Sequence, residues 1–297
     1  MKPPRFEYAC PQSLTEALDL LDEHKSNAAV LAGGQSLVPI LNLRMAKPAI
    51  VIDINRIPDL DTISSNGRQI SIGARARHND VLRSPHVRLH LPLLAQALEH
   101  VAHEAIRNRG TLGGSLALAD PAAELPACTV CLDAEIVVRS NRGERKITAS
   151  DFFKRIYSTA LEEDEIITRI DFPIEDSFWR FRFDEIARRQ GDFAIAGLAF
   201  AARCDEAKVT ECRIVFAGVE ESPRRIPELE EIFIGANVAD EENIQRAKAA
   251  VADVIEPLTG GELSPAYRLH VVRELLARVV RDLAHPDMAR SLSHECL

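Results

Sequence analysis

Two pairs of adjacent glycines, each beside hydroxyl residues, are where this sequence of 297 residues could do chemistry. The first lies in Leu31-Ala32-Gly33-Gly34-Gln35-Ser36-Leu37 and the second in Thr111-Leu112-Gly113-Gly114-Ser115. Neither is the spaced-glycine fingerprint of a Rossmann fold, and neither carries the lysine of a P-loop. Adjacent glycines offer backbone without side chains, free to take positive φ and to turn several N–H groups toward one anion. A helix N-terminus favours an exposed anion by only about 0.3–1 kcal/mol, so directed N–H groups and the hydroxyls of Ser36, Thr111 and Ser115 must do most of the holding. Either pair alone reads as an ordinary turn. Together they read as two halves of a cradle for a diphosphate, with dinucleotides among the ligands that carry one. A valine at Gly33 or Gly114 is then expected to abolish ligand retention by filling the place of the diphosphate.

The elements that must position these loops follow from the side-chain pattern. Ser13 and Glu16 form a capping box, and Leu14, Ala17, Leu18 and Leu21 follow at helical spacing. An apolar strand at residues 28–31 runs into the first glycine pair and a second strand spans residues 49–54, which together make a small βαβ-like unit. Alternation at Ile70 and Ile72, then a helix over about residues 91–103, begins a second α/β unit that leads into the second pair. Asp120 and Pro121 are placed to cap and open a helix carrying Glu124. Strands are expected at 134–139 and 145–148, around the turn Asn141-Arg142-Gly143, and at 166–172. From Trp179 the chain alternates strictly, Trp179, Phe181 and Phe183 against Arg180, Arg182 and Asp184, as a half-buried strand does. Its expected partners are residues 194–202 and 212–219, and an amphipathic helix opens at Ser264-Pro265, so a domain boundary belongs near Asp176.

With 46% hydrophobic and 27% charged residues, the chain matches an ordered globular protein of two compact units. Its net charge of -9 repels nucleic-acid phosphates and anionic lipid, and the pairs Arg188-Arg189 and Arg224-Arg225 read as solvated faces rather than a basic stripe. Two prolines and a glutamate precede any apolar run, and nothing approaches ~18 uninterrupted apolar residues, so the expectation is a cytoplasmic location without membrane or nucleic-acid partners. The cysteines at 10, 128, 131, 204, 212 and 296 are expected as thiols, with Cys128 and Cys131 packing beside Leu125 and Leu132 on a helix. An iron–sulfur cluster would need four ligands in a tighter run, and the nine histidines form no metal-ligand set; His100 and His103 read as a surface pair on one helix.

Longer motifs surround the loops: Phe6-Glu7-Tyr8, AGGQSLVPILNLRMAKP from Ala32, IDI from Ile52, IGA from Ile72, IRNRGTLGGSLALADPAAELP from Ile106, DFF from Asp151, ARRQGDFA from Ala187 and YR at Tyr267. In these the sequence resembles the medium, FAD-binding subunit of molybdenum hydroxylases of the xanthine dehydrogenase and carbon monoxide dehydrogenase type. The resemblance implies an α+β fold: a PCMH-type FAD-binding domain over residues 1–176, in two α/β subdomains of about 1–55 and 56–176. A smaller C-terminal domain over 177–285, with a three-stranded antiparallel sheet and helices, and a tail over 286–297 complete it. It implies that Ala32, Gly33, Gly34, Gln35, Ser36 and Leu37, with Thr111, Gly113, Gly114 and Ser115, hold the FAD pyrophosphate. Glu124, Ile167 and Glu185 are implied as further flavin contacts, and Phe193, after Gly191-Asp192, as an aromatic cover. Many relatives carry a lysine shortly before the Arg188-Arg189 position, where this sequence has Asp184 and Glu185. No catalytic or metal-ligating residue is implied in this chain. Its partners would be a large subunit with molybdopterin-bound molybdenum and a small subunit with two 2Fe–2S clusters, as a dimer of heterotrimers, with FAD passing electrons to an external acceptor. Two other readings are a stand-alone flavin oxidoreductase of the vanillyl-alcohol oxidase type, whose chains are usually longer, and a non-catalytic nucleotide-binding adaptor.

Overall fold

Ser13 accepts a hydrogen bond from the Glu16 backbone N–H at 3.2 Å and so starts the helix Leu14–His24, which buries Ala17, Leu18 and Leu21. The Glu16 carboxylate reaches back to the N–H of Gln12, at 2.9 Å, and closes the box one residue early. The computed structural model describes residues 2–206, 208–238, 240–259 and 263–284; the expected tail 286–297 and Cys296 lie outside them.

The described chain divides into two compact units. The first comprises Met1–Leu89, Ala102–Asp120 and Asp133–Ile174. Its smaller sheet is parallel, with Ile50–Asp53 between Glu7–Ala9 and Ala28–Leu31. Ile50 and Ile52 pack on the apolar face of Leu14–His24. Because the strands run parallel, the first glycine loop and Asp53 leave from the same end of the sheet, and the carboxyl ends of parallel strands are where α/β folds place ligands. The larger sheet has five strands in the order Ile63–Ser65, Gln69–Gly73, Ile166–Pro173, Glu135–Ser140 and Gly143–Thr148. Its central strand, expected at 166–172, is buried along most of its length.

The second unit comprises His90–Val101, Pro121–Leu132 and Glu175–Leu297, so the chain contributes two short helical segments to it before the long C-terminal stretch. Its sheet is three-stranded and antiparallel, Trp179–Ala187, Ala194–Asp205 and Lys208–Ala217. Phe200 of the central strand meets Phe233 edge-to-face at 5.7 Å, and Val272, Leu275, Leu276 and Val279 of the helix Pro265–Ala284 complete the same core. Trp179–Ala187 is an edge strand. Gln96, on the helix Pro92–His100, accepts from the Phe183 N–H at 2.8 Å and donates to the Phe181 carbonyl at 3.4 Å, which occupies the backbone groups an edge leaves bare. The α+β architecture and the three-stranded C-terminal sheet agree with expectation.

Three local readings change. The helix expected over 91–103 ends at His100; Ala102 takes φ 42° and His103 flanks a separate short helix, Glu104–Arg107. Asp120 is not a cap, because its carboxylate accepts from the Tyr157 hydroxyl at 3.1 Å and the helix Glu124–Cys131 starts from Ala123. His100 is not a surface group but half-buried beside Glu185. Cys128 and Cys131 pack as expected: both are buried, and burial pushes the Cys128 thiol well up, away from thiolate chemistry. Among the described residues no helix is long and apolar enough to cross a membrane.

Candidate cofactor-binding site

The two glycine loops touch within the first unit. A Cβ on Gly33 would stand 2.4 Å from the Arg109 carbonyl and 2.9 Å from Gly110 Cα, in the stem of the second loop. A Cβ on Gly113 would stand 2.5 Å from that of Ala74, and one on Gly114 would stand 2.6 Å from Thr111 Oγ1. The glycines are therefore required first by the close approach of the protein to itself. This corrects the expected mechanism of a valine at Gly33 or Gly114, which would collide with the chain before reaching any ligand.

The loops differ in the donors they keep. In the first, the N–H groups of Gly33, Gly34, Gln35 and Ser36 meet no acceptor among the described residues. Gly34 holds φ 72°, and Ser36 begins the helix Leu37–Asn42 without spending its hydroxyl on a cap. In the second, the four N–H groups that follow Thr111 are engaged: Leu112 with the Ala76 carbonyl at 3.1 Å, Gly113 with that of Ala74 at 2.8 Å, Gly114 with Thr111 Oγ1 at 3.1 Å and Ser115 with the Thr111 carbonyl at 3.0 Å. The first loop offers backbone donors, and the second offers the half-buried Ser115 hydroxyl. Around the first loop opens a cleft of about 530 Å³, lined among others by Gln35, Asp53, Asn55 and Arg109.

A network that the sequence did not single out fixes this arrangement. Asn55 donates to the Ala32 carbonyl at 2.8 Å and accepts from Arg77 at 2.5 Å, while the other arm of the Arg77 guanidinium donates to the Arg109 carbonyl. Burial and the charges of Arg109 and Arg75 pull the Arg77 pKa down, the mark of a local concentration of positive charge. Asp53 is the counterweight. Burial pushes its carboxyl up, but the Tyr8 hydroxyl, at 2.6 Å, and the N–H of Asn55 outweigh burial and hold it below the ordinary range. The sequence signal for Asp53 and Arg109 is their place in the motifs that begin at Ile52 and Ile106, and Asn55 and Arg77 carry none of that kind.

The remaining expected residues fall elsewhere. Ile167 is buried in the central strand of the five-stranded sheet, beside a bulge between Ile167 and Arg169, so it can offer a ligand backbone only. Glu124, Glu185 and Phe193 belong to the second unit. Glu124 lies buried in the first turn of Glu124–Cys131. Phe193 is 68% exposed, just ahead of the strand Ala194–Asp205. Glu185 points an otherwise unpartnered Oε2 into buried space while Oε1 stands 3.5 Å from His100 Nδ1, and Asp184 is paired with Arg278 at 2.7 Å. Asp184 is thus paired with an arginine, and Glu185 stands beside a histidine.

Residues 4–175 match the family model described as the FAD binding domain in molybdopterin dehydrogenase, and residues 181–283 match the CO dehydrogenase flavoprotein C-terminal domain. The chain belongs to the FAD-binding medium subunits of the molybdenum hydroxylases. It is 37% identical to the caffeine dehydrogenase subunit beta of a Pseudomonas species, covering 98% of this chain and 100% of that one. It is 36% identical to the nicotine 6-hydroxylase medium subunit of Paenarthrobacter nicotinovorans, over 94% of this chain and 98% of that one. A solved carbon monoxide dehydrogenase from Hydrogenophaga pseudoflava superposes with a TM-score of 0.92 at 36% identity, over 95% of this chain and 98% of that one. For an FAD-binding medium subunit the loops are chemically apt: four unengaged N–H groups, two hydroxyls and two nearby guanidinium groups suit a diphosphate.

Two histidines in this medium subunit should titrate in opposite senses. Burial drives His78 down from 6.5 to about 4, with the Arg107 and Arg77 charges adding to it against the Thr111 carbonyl. The native state therefore prefers neutral His78, and its stabilising contribution, complete above pH 6.5, is lost as pH falls toward 4, by about 3 kcal/mol. At His100 burial acts downward, but Glu185, Asp184 and Glu124 raise the pKa, so its contribution is present at low pH and lost as pH rises through that raised value. An NMR titration should find the His100 ring changing above the ordinary histidine range and the His78 ring silent until the acid limb of unfolding.

Proposed function

We propose that this chain is the flavin-carrying electron relay of a multi-subunit molybdenum hydroxylase, in which it takes electrons from 2Fe–2S clusters of a small subunit. It delivers them to an external acceptor, and substrate is oxidised at molybdopterin-bound molybdenum in a large subunit. The observation that carries this reading is end-to-end similarity to chains named as subunits: beta for caffeine dehydrogenase, alpha for 6-hydroxypseudooxynicotine dehydrogenase, medium for nicotine 6-hydroxylase. Bound FAD would supply a store for two electrons that can be filled one at a time. The chain's own task is to bind and orient it: Gly33, Gly34, Gln35 and Ser36 through their N–H groups and Ser115 through its hydroxyl at the pyrophosphate, with Ala32, Leu37, Thr111, Gly113 and Gly114 shaping the loops. Ile167, in the same unit, would add a contact to the flavin.

Substrate choice is assigned to the large subunit. Relatives at 34–38% identity are named for caffeine, 6-hydroxypseudooxynicotine, nicotine and glyceraldehyde, and near-equal similarity to chains named for such unlike molecules supports that assignment. Tagged chain expressed in its native host is expected to bring down two other polypeptides, with molybdenum and iron in the same fraction and the assembly recovered from the cytoplasm. The FAD-loaded chain alone should not be reduced by the substrate that reduces the complex. Anaerobic bleaching of the isolated chain by that substrate would instead favour a stand-alone oxidoreductase.

A further inference from the structure

His78 opens the helix His78–Arg83, and the residue is only 4% exposed. Its backbone N–H donates to the Gly110 carbonyl at 3.0 Å, and its ring lies so close to Gly110 that a Cβ there would be 2.9 Å from both Cε1 and Nδ1. The ring is thereby pinned against the stem of the second glycine loop. Nε2 stands 3.1 Å from Ser115 Oγ, and Nδ1 has no hydrogen-bond partner among the described residues.

A neutral imidazole carries one N–H, and the two choices send the Ser115 proton in opposite directions. With the proton on Nδ1, a buried donor goes unpaired at about 1–3 kcal/mol, and Nε2 must accept the Ser115 hydroxyl proton. Ser115 would then offer only lone pairs to an anion. With the proton on Nε2, the bare group is a buried lone pair, which proteins tolerate better than a bare N–H. Nε2 then donates to Ser115 Oγ, and the hydroxyl proton is free to point away from the ring. The distinction matters because the N–H groups of Leu112, Gly113, Gly114 and Ser115 are all engaged and Thr111 is buried, so the loop's accessible donor is the Ser115 hydroxyl.

We propose that His78 is a positioning residue for the anion site: as the Nε2–H tautomer it donates to Ser115 Oγ and commits the Ser115 hydroxyl proton to a diphosphate oxygen. This rests on the reading of the glycine loops as the pyrophosphate cradle. His78 touches no ligand; it acts by setting which way a serine proton points.

The test is a double-mutant cycle on the full-length chain, reading FAD affinity by flavin fluorescence and the affinities of ADP and adenosine by competition. Ser115→Ala is expected to weaken FAD and ADP about tenfold and leave adenosine unchanged. His78→Met should match it for FAD and ADP, the double variant should be no worse than either single, and His78→Gln, which can place an amide N–H near Nε2, should recover most of the loss. A merely structural role of His78 would weaken adenosine as well. Nitrogen NMR of histidine-labelled chain should show His78 protonated at Nε2. An Nδ1–H tautomer, additive losses in the cycle, or a normal ADP affinity in His78→Met beside a weakened one in Ser115→Ala would overturn the proposal and leave the cradle standing. Unchanged FAD and ADP affinity in Ser115→Ala would remove Ser115 from the cradle, and the proposal with it.

Discussion

Gly33→Ala should strip FAD from the chain while leaving the fold intact. One methyl group at this position would sit 2.4 Å from the Arg109 carbonyl, and both partners are backbone that no rotamer change can move aside. The two loops must part by about 1 Å to reach ordinary contact, which costs about 1–3 kcal/mol of folding stability, small enough for a chain of this size to survive. The effect on the ligand is larger. N–H groups that hold charged oxygens contribute about 1.5–3 kcal/mol each, and displacing two of the four in the first loop weakens FAD by at least about 100-fold. Flavin content after desalting and a fluorescence titration measure this directly, with a thermal melt to confirm folding. A Gly33→Ala chain that retains stoichiometric FAD would show that loop contact is not what shapes the cradle.

Arg77→Leu comes next in expected effect. The guanidinium bridges Asn55, which holds the first loop at Ala32, to the Arg109 carbonyl in the stem of the second. Leucine leaves two acceptors without their donor and removes a positive charge from the neighbourhood of an anion, together worth about 2–3 kcal/mol, or a roughly 30- to 150-fold loss of FAD affinity. Arg77→Lys separates the two contributions, because an ammonium restores the charge but cannot fork to two acceptors. If the bridge dominates, lysine should behave nearly like leucine at all salt concentrations. Recovery of affinity by lysine at low salt that fades as salt rises would assign the effect to charge instead.

The elements that build the site were legible wherever burial imposes a period. Alternation gave Trp179–Ala187, and helical spacing with a cap gave Leu14–His24, because both patterns answer to one buried face. The helix end at His100 was not legible: Val101 continues the apolar phase, and the break comes from a positive φ at Ala102, a residue that does not announce one. Asp120 misled for a related reason. Its capping potential is local, but Tyr157 took the carboxylate from 37 residues away. Chain order likewise hides that Pro92–His100 and Glu124–Cys131 build the second unit, since nothing local marks a helix as packing on strands that come later.

At the site, the sequence disclosed the glycine pairs but not their asymmetry. Which N–H groups are spent depends on Ala74 and Ala76, whose carbonyls face the second loop only once the chain has folded. The network of Asp53, Asn55, Arg77 and Arg109 was invisible for the same reason: it forms only when the fold closes 22 residues between Asn55 and Arg77 and 32 between Arg77 and Arg109. His78 is the extreme case, a histidine with no sequence signal whose burial and contact with Ser115 give it meaning.

The central claim is that this chain holds FAD through the paired glycine loops, and reconstitution tests it most directly. The purified full-length chain, incubated with FAD and desalted, should retain one flavin per polypeptide with a flavin absorbance spectrum, and ADP should compete with its uptake. A chain that is folded by its thermal melt yet stays colourless and takes up no FAD would contradict the account at its foundation.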